Sequence, residues 1–314
     1  MTFLRHALTG LAALALGLSA QAQQTWFPSK WGPTDELGAA NYLTPKLAAD
    51  AAKLVKTGKT YSLGITVGTS TPAYPPRTCS IYIVQPGQQG SSEGLGPTKT
   101  TYNDDILNCW VGIGTQLDGL GHIGVGDRYY NGLKWQEIGQ ITGLKKLGAD
   151  KLPPFVTRGV LLDMAAYFGV DVVKEGTAFN KAEIEGAAKK QGVEIRQGDV
   201  VLFHTGWLSL IEKDPKRYAS VEPGLGREGA RYLVGKNVVA VGADTWGLEA
   251  IPFEQGAGVF EVHQILLPMS GTYILENVNT AELAKDKAYE FMFVLGQNKY
   301  QGSVQSMINP VAIR

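Results

Sequence analysis

The feature that most constrains this fold is a rhythm in the second half of the sequence. Short runs rich in Val, Leu and Ile alternate with segments of helical spacing. Residues 158–164, 198–204, 237–244, 271–278 and 289–295 read as strands, and 180–191 and 223–234 read as helices. Near-continuous apolar strands suit a sheet covered on both faces, as when parallel strands are joined by crossover helices. The alternation predicts α/β layers with at least some parallel pairing. Before this region, 24–45 reads as an extended lead-in rich in Trp, Pro, Gly and Asn. A helix is expected over 45–55, strands over 61–67 and 78–84, and a loop of Gly, Ser and Gln over 86–101. No repeat or linker divides residues 23–314, so one domain is expected there.

The first residues address the protein. Arg5 precedes an apolar run from Ala7 to Ala20, and Ala20-Gln21-Ala22 gives a small-x-small cleavage pattern. Residues 1–22 therefore read as a secretory signal peptide cut after Ala22. The apolar run is shorter than the ~20 residues that span a bilayer. The expectation is a secreted or periplasmic protein of residues 23–314. The 29 basic residues balance 29 acidic ones, and no basic run points to nucleic acid or a membrane surface. A small-molecule substrate is the expected partner. Cys79 and Cys109 are the two cysteines; in an oxidising compartment they either pair or stay as separate buried thiols.

Histidine is scarce, so each one demands a reason. Of four, His6 leaves with the signal, and His122, His204 and His263 remain. The segment from Gly114 to His122 surrounds Gln116, Asp118 and His122 with three glycines. In an extended stretch Gln116 and Asp118 point the same way, and His122 follows past a Gly-rich bend. An amide oxygen, a carboxylate and an imidazole aimed at one point can hold Zn²⁺ or Mn²⁺. The competing reading is a glycine turn whose Asp and His only hydrogen-bond the loop. Glu276 sits inside an apolar strand pattern, where a carboxylate must be paired, metal-bound, or on an exposed edge. His263 precedes an apolar run. His204 ends a strand, as a substrate contact or a hydrogen-bonded turn residue. Two motifs mislead. Gly90-Ser91-Ser92-Glu93-Gly94 fits the serine-hydrolase elbow but lies in a loop. The glycines from Gly119 to Gly124 fit a dinucleotide fingerprint but precede a turn-rich stretch instead of a helix.

These residues resemble the cyclase family of metal-dependent hydrolases, which includes bacterial kynurenine formamidases, isatin hydrolase and trans-dienelactone hydrolases. The family is recognised by His-Gly-Thr-His-x-Asp-x-Pro-x-His, then a later His followed by Leu-Leu and a Glu on the next strand. Here the signature stands as Gly112 to His122, and the later pair as His263 with Leu266-Leu267, then Glu276. Trp31-Gly32-Pro33, Asn41 to Pro45, Arg158 to Asp163 and Gly198 to Trp207 support the likeness. It implies a swivelling β/β/α domain with a mixed sheet core and flanking helices, assembled as a homo-oligomer, a dimer or tetramer. Neither of the family's first two metal-binding histidines is kept here, and the second falls on Gln116. The likeness therefore implies one divalent ion per chain, Zn²⁺ or Mn²⁺, on Gln116, Asp118, His263 and Glu276. His122 maps onto the general acid/base, with a role as ligand left open. Trp31, Tyr42 and Trp110 are the aromatic residues expected to close the site. The implied activity is hydrolysis of a cyclic ester or amide, or an N-formyl amide, by a metal-activated water. The alternative is an exported small-molecule-binding protein that keeps the fold without turnover.

Overall fold

A computed structural model describes residues 26–86 and 94–314. The signal-peptide segment and most of the Gly90–Gly94 motif lie outside the described residues. The strands in chain order are β1 (Thr60–Ser62), β2 (Cys79–Val84), β3 (Asp104–Cys109), β4 (Gln116–Asp118) and β5 (Phe155–Asp163). They continue as β6 (Ala178–Phe179), β7 (Val200–His204), β8 (Gly224–Leu225) and β9 (Ala240–Ala243). The last four are β10 (Tyr273–Glu276), β11 (Glu290–Leu295), β12 (Gln305–Met307) and β13 (Val311–Ile313).

Nine of these form one mixed sheet in the order β1-β13-β11-β5-β7-β9-β10-β4-β12. Its centre is parallel: β5 pairs with β7, β7 with β9, and β9 with β10. Both flanks are antiparallel. The central strands are those whose apolar runs stood out in the sequence. Leu161, Leu202, Phe203, Val241, Ile274 and Leu275 are fully buried in them, as expected for strands covered on both faces. Helices Lys181–Gln191, Arg227–Gly235 and Glu261–Ser270 fall in the three connections between these parallel strands. The architecture is the mixed α/β arrangement with flanking helices that the resemblance implied.

Local signals explain the helix ends. Thr44 caps helix Pro45–Ala52 by accepting from Leu47 N at 3.2 Å, with Pro45 in the first turn. Glu183 Oε2 reaches back to accept from the Asn180 backbone N–H at 2.9 Å, and Gly192 ends that helix in the left-handed conformation. Elsewhere the expectations need correction. The strand expected over 61–67 pairs only through Ser62. The helix expected from 223 begins at Arg227, because Gly224 and Leu225 first pair with β6. Strands β12 and β13 were not foreseen, since three residues are too few to show alternation. Cys79 and Cys109 are opposite one another in the β2–β3 hairpin and form a disulfide. Among the described residues no helix is long and apolar enough to cross a membrane.

Candidate functional site

Three adjacent strands make the floor of the site. β4 lies between β10 and β12, with Gln116 opposite Glu276 and Asp118 opposite Gln305. Side chains alternate along a strand and align across a ladder, so these four share one face. Leu117 between them points the other way into the core, fully buried. The chain leaves β4 through Gly119, where a Cβ would sit 2.5 Å from the Val304 carbonyl oxygen. Only glycine allows that approach.

Hydrogen bonds tie the floor together. Gln116 Nε2 donates to Glu276 Oε2 at 2.6 Å and to Asp118 Oδ1 at 3.2 Å. Gln305 Nε2 donates to Asp118 Oδ1 at 2.6 Å. Gln116, Asp118 and Glu276 are all buried.

His263 comes from above, in the first turn of helix Glu261–Ser270. Its Nε2 lies 3.2 Å from Glu276 Oε1 and 3.9 Å from Asp118 Oδ2. On the other side of the ring, Nδ1 is 2.6 Å from Glu249 Oε1. Glu249 also accepts from the backbone N–H groups of Val262 and His263 at 3.4 and 3.2 Å. Those are the free donors of a helix start, where a carboxylate is favourable. Glu249 thus orients the imidazole and turns Nε2 toward the floor, the arrangement that outer carboxylates give to ligating histidines.

One ligand-capable atom from each of Asp118, His263 and Glu276 lies within 4.8 Å of the other two. Two buried acceptors beside them, Gln116 Oε1 and Asp118 Oδ2, have no hydrogen-bond partner. Buried acceptors without partners cost stability and call for an explanation. A cation among these oxygens and the imidazole nitrogen would satisfy them, and the donor types suit Zn²⁺ or Mn²⁺. The residues present therefore fit a metal.

The electrostatics agree. Burial alone would lower the His263 pKa, but the Glu249 and Glu276 carboxylates outweigh it and hold it at about 10. Burial and the neighbouring Asp118 push Glu276 up to about 7, against the opposing pull of His263 and Arg77. Without a metal the cluster therefore retains protons that a cation would replace. His122 is different. Burial, aided by His263 and Arg77, holds its pKa below the usual value despite Asp118. Its Nε2 is 3.9 Å from Asp118 Oδ2, beyond hydrogen-bond reach.

Next to the cluster a cavity of about 180 Å³ opens to solvent, with His122, His263 and Glu276 at its inner end. An apolar cavity of about 150 Å³ is known to hold benzene, so there is room here for about one ring with small substituents. Tyr74, Trp246 and Phe260 form the aromatic wall. Tyr74 and Trp246 stack with centroids 5.5 Å apart, and Phe260 meets both Tyr74 and His263 edge-on.

The fold brings Gln116, Asp118, His122, His263 and Glu276 together, as the family resemblance implied. The expected aromatic closure is corrected. Trp31 and Tyr42 pack against each other beneath Lys30, and Trp110 is exposed just past β3. None of the three lines the cavity. Their positions follow from nearby chain, whereas the observed wall draws on three distant segments that no local pattern connects. His204 also stays out of the cavity, bonded through Nδ1 to Thr280 Oγ1 at 2.8 Å in the strand-end turn. Glu249, Gln305 and Arg77 went unrecognised. Glu249 had one visible signal, an acidic residue flanked by Leu248 and Ala250.

Comparison with known proteins places the chain among similar sequences and folds. The Cyclase family model matches residues 61–250, a span that contains Gln116, Asp118 and His122 but stops short of His263 and Glu276. None of the curated proteins matches the sequence. Among solved structures, a novel cyclase is 32% identical, with a TM-score of 0.82 over 91% of this chain and 96% of that one. Isatin hydrolase A from Ralstonia solanacearum is 19% identical, with a TM-score of 0.60 over 86% and 97% of the two chains. A potential metal-dependent hydrolase with cyclase activity is 18% identical, with a TM-score of 0.53 over 81% and 98%. The last two similarities concern the fold.

Proposed function

This chain belongs to the cyclase family, and from that premise we propose that it is an exported single-metal hydrolase acting on a cyclic ester, a cyclic amide or an N-formyl amide. The observation that carries the proposal is the buried Asp118, His263 and Glu276 set, with the partnerless Gln116 Oε1 and Asp118 Oδ2, at the inner end of an aromatic cavity. The names of similar folds, isatin hydrolase and metal-dependent hydrolase, support it.

Asp118, His263, Glu276 and Gln116 would hold one Zn²⁺ or Mn²⁺. A divalent ion there supplies Lewis acidity, which acidifies water and polarises a carbonyl. The chain's own residues do the rest. Glu249 fixes the His263 ring. The stacked Tyr74 and Trp246 rings wall one side of the cavity, against which a flat substrate packs. His122 faces the cavity, and its lowered pKa keeps the imidazole neutral near neutral pH, with one ring nitrogen able to accept a proton. It accepts the proton of the attacking water and returns it to the leaving nitrogen or oxygen. The carbonyl carbon gains the water oxygen, the C–N or C–O bond breaks, and a carboxylate and an amine or alcohol result.

Export is supported by the Ala20-Gln21-Ala22 pattern and by the Cys79–Cys109 disulfide, a bond at home in oxidising compartments. A homo-oligomer is supported by Ile81, Tyr82, Ile83, Ile106 and Leu107, exposed together on the β2–β3 hairpin. The test is a panel of lactones, N-formyl aromatics and cyclic imides, assayed with Zn²⁺ and Mn²⁺. Chelator-sensitive hydrolysis of at least one member is expected. No hydrolysis across the panel, with measurable ligand binding, would favour a non-catalytic binding protein.

A further inference from the structure

One cation in the cavity has no assigned task. Arg77 lines it, half-buried, beside His122 and Tyr74. Its Nη1 donates to the Gly112 carbonyl at 2.8 Å, and it joins no ion pair among the described residues. A guanidinium carries five donors, so most of its capacity is open. Its charge is felt inside the site, since it lowers the pKa of both His122 and Glu276.

The sequence makes room for it. A Cβ on Gly112 would lie 2.8 Å from Arg77 Nη1, 3.0 Å from its Cζ and 2.9 Å from Gln305 Oε1. Any side chain at 112 would have to share that space. The guanidinium therefore packs against bare backbone at Gly112.

A guanidinium beside an aromatic wall, with a free planar fork, matches a carboxylate in charge and shape. We propose that Arg77 binds a carboxylate on the ligand, so that the preferred substrates are single-ring amides or esters bearing a carboxylate group. The size follows from the cavity, the flat ring from the Tyr74–Trp246 stack, and the anion from Arg77. This rests on the hydrolase reading for the word substrate, but the recognition itself does not need turnover.

The test uses benzoate and benzamide, nearly isosteric rings that differ in charge. Their affinities are measured by calorimetry on metal-loaded wild type, Arg77→Gln and Arg77→Lys, with metal content assayed in each. Wild type should prefer benzoate by about 10- to 100-fold, the range for charge-assisted hydrogen bonds. Arg77→Gln should bring the ratio close to one, and Arg77→Lys should keep part of it, which separates lost charge from lost folding. No preference in wild type overturns the proposal. So does a preference that persists in Arg77→Gln, because the metal would then be the carboxylate's partner. An Arg77-dependent preference in a protein that hydrolyses nothing would leave this inference standing and remove the hydrolase reading.

Discussion

Binding of the metal should expel protons, in a number that follows from the site. Metal ligands must be deprotonated before they coordinate. With a pKa held at about 10, His263 is almost fully protonated at pH 7 in the metal-free protein. With a pKa at about 7, Glu276 is about half protonated there. Both must lose their protons, so loading at pH 7 should release about 1.5 protons per ion from the cluster as a whole. Near pH 6 the count should approach about two, and above pH 8 about one. The sign is fixed: protons compete with the metal, so affinity falls as pH falls. The slope is the proton count, which makes apparent affinity change about 30-fold per pH unit around neutrality. The assay is calorimetric titration of Zn²⁺ or Mn²⁺ into chelator-stripped protein, in buffers of differing ionisation enthalpy. The dependence of measured heat on buffer enthalpy gives the count directly. One bound ion with no proton release would refute the reasoning, since the ion would then lie away from His263 and Glu276.

Two further perturbations separate the roles of neighbouring groups. His122→Ala should keep its metal and lower turnover by about 10²- to 10⁴-fold, the usual share of a general acid/base, whereas Glu276→Ala should lose both metal and activity. Loss of metal in both variants, read by elemental analysis, would make His122 a ligand. Glu222 is fully buried and accepts from Trp246 N at 2.7 Å and Gly247 N at 3.2 Å. Glu222→Ala would strand both donors behind the cavity wall and should cost roughly 2–4 kcal/mol of stability; an unchanged urea midpoint would contradict that role.

What could be read in advance depended on the range of the interactions. The central strands were legible because burial on both faces demands apolar runs such as the one ending at Phe203. Gln116 and Asp118 were legible because a two-residue spacing places them on one strand face. Glu276 stood out as a charge within an apolar strand. Their assembly was not legible from spacing. It depends on β4 inserting between β10 and β12, two pairings across distant chain, and the family likeness supplied what local pattern could not. The same limit hid the cavity wall. Tyr74, Trp246 and Phe260 meet only through tertiary packing, so the expectation rested on the family likeness, which pointed to aromatics near the N-terminus such as Trp31 and Tyr42. Arg77 was invisible for a related reason, because its meaning comes from Gly112, and an absent side chain announces nothing until its neighbour is seen.

The central claim is a single-ion site in which Gln116 stands where the family's second metal-binding histidine falls. Metal content per chain, measured by elemental analysis after saturation with Zn²⁺ or Mn²⁺ and removal of free ion, tests this directly. One ion per chain, lost in Glu276→Ala, is the predicted result. Two ions per chain, or one that survives Glu276→Ala, would contradict it.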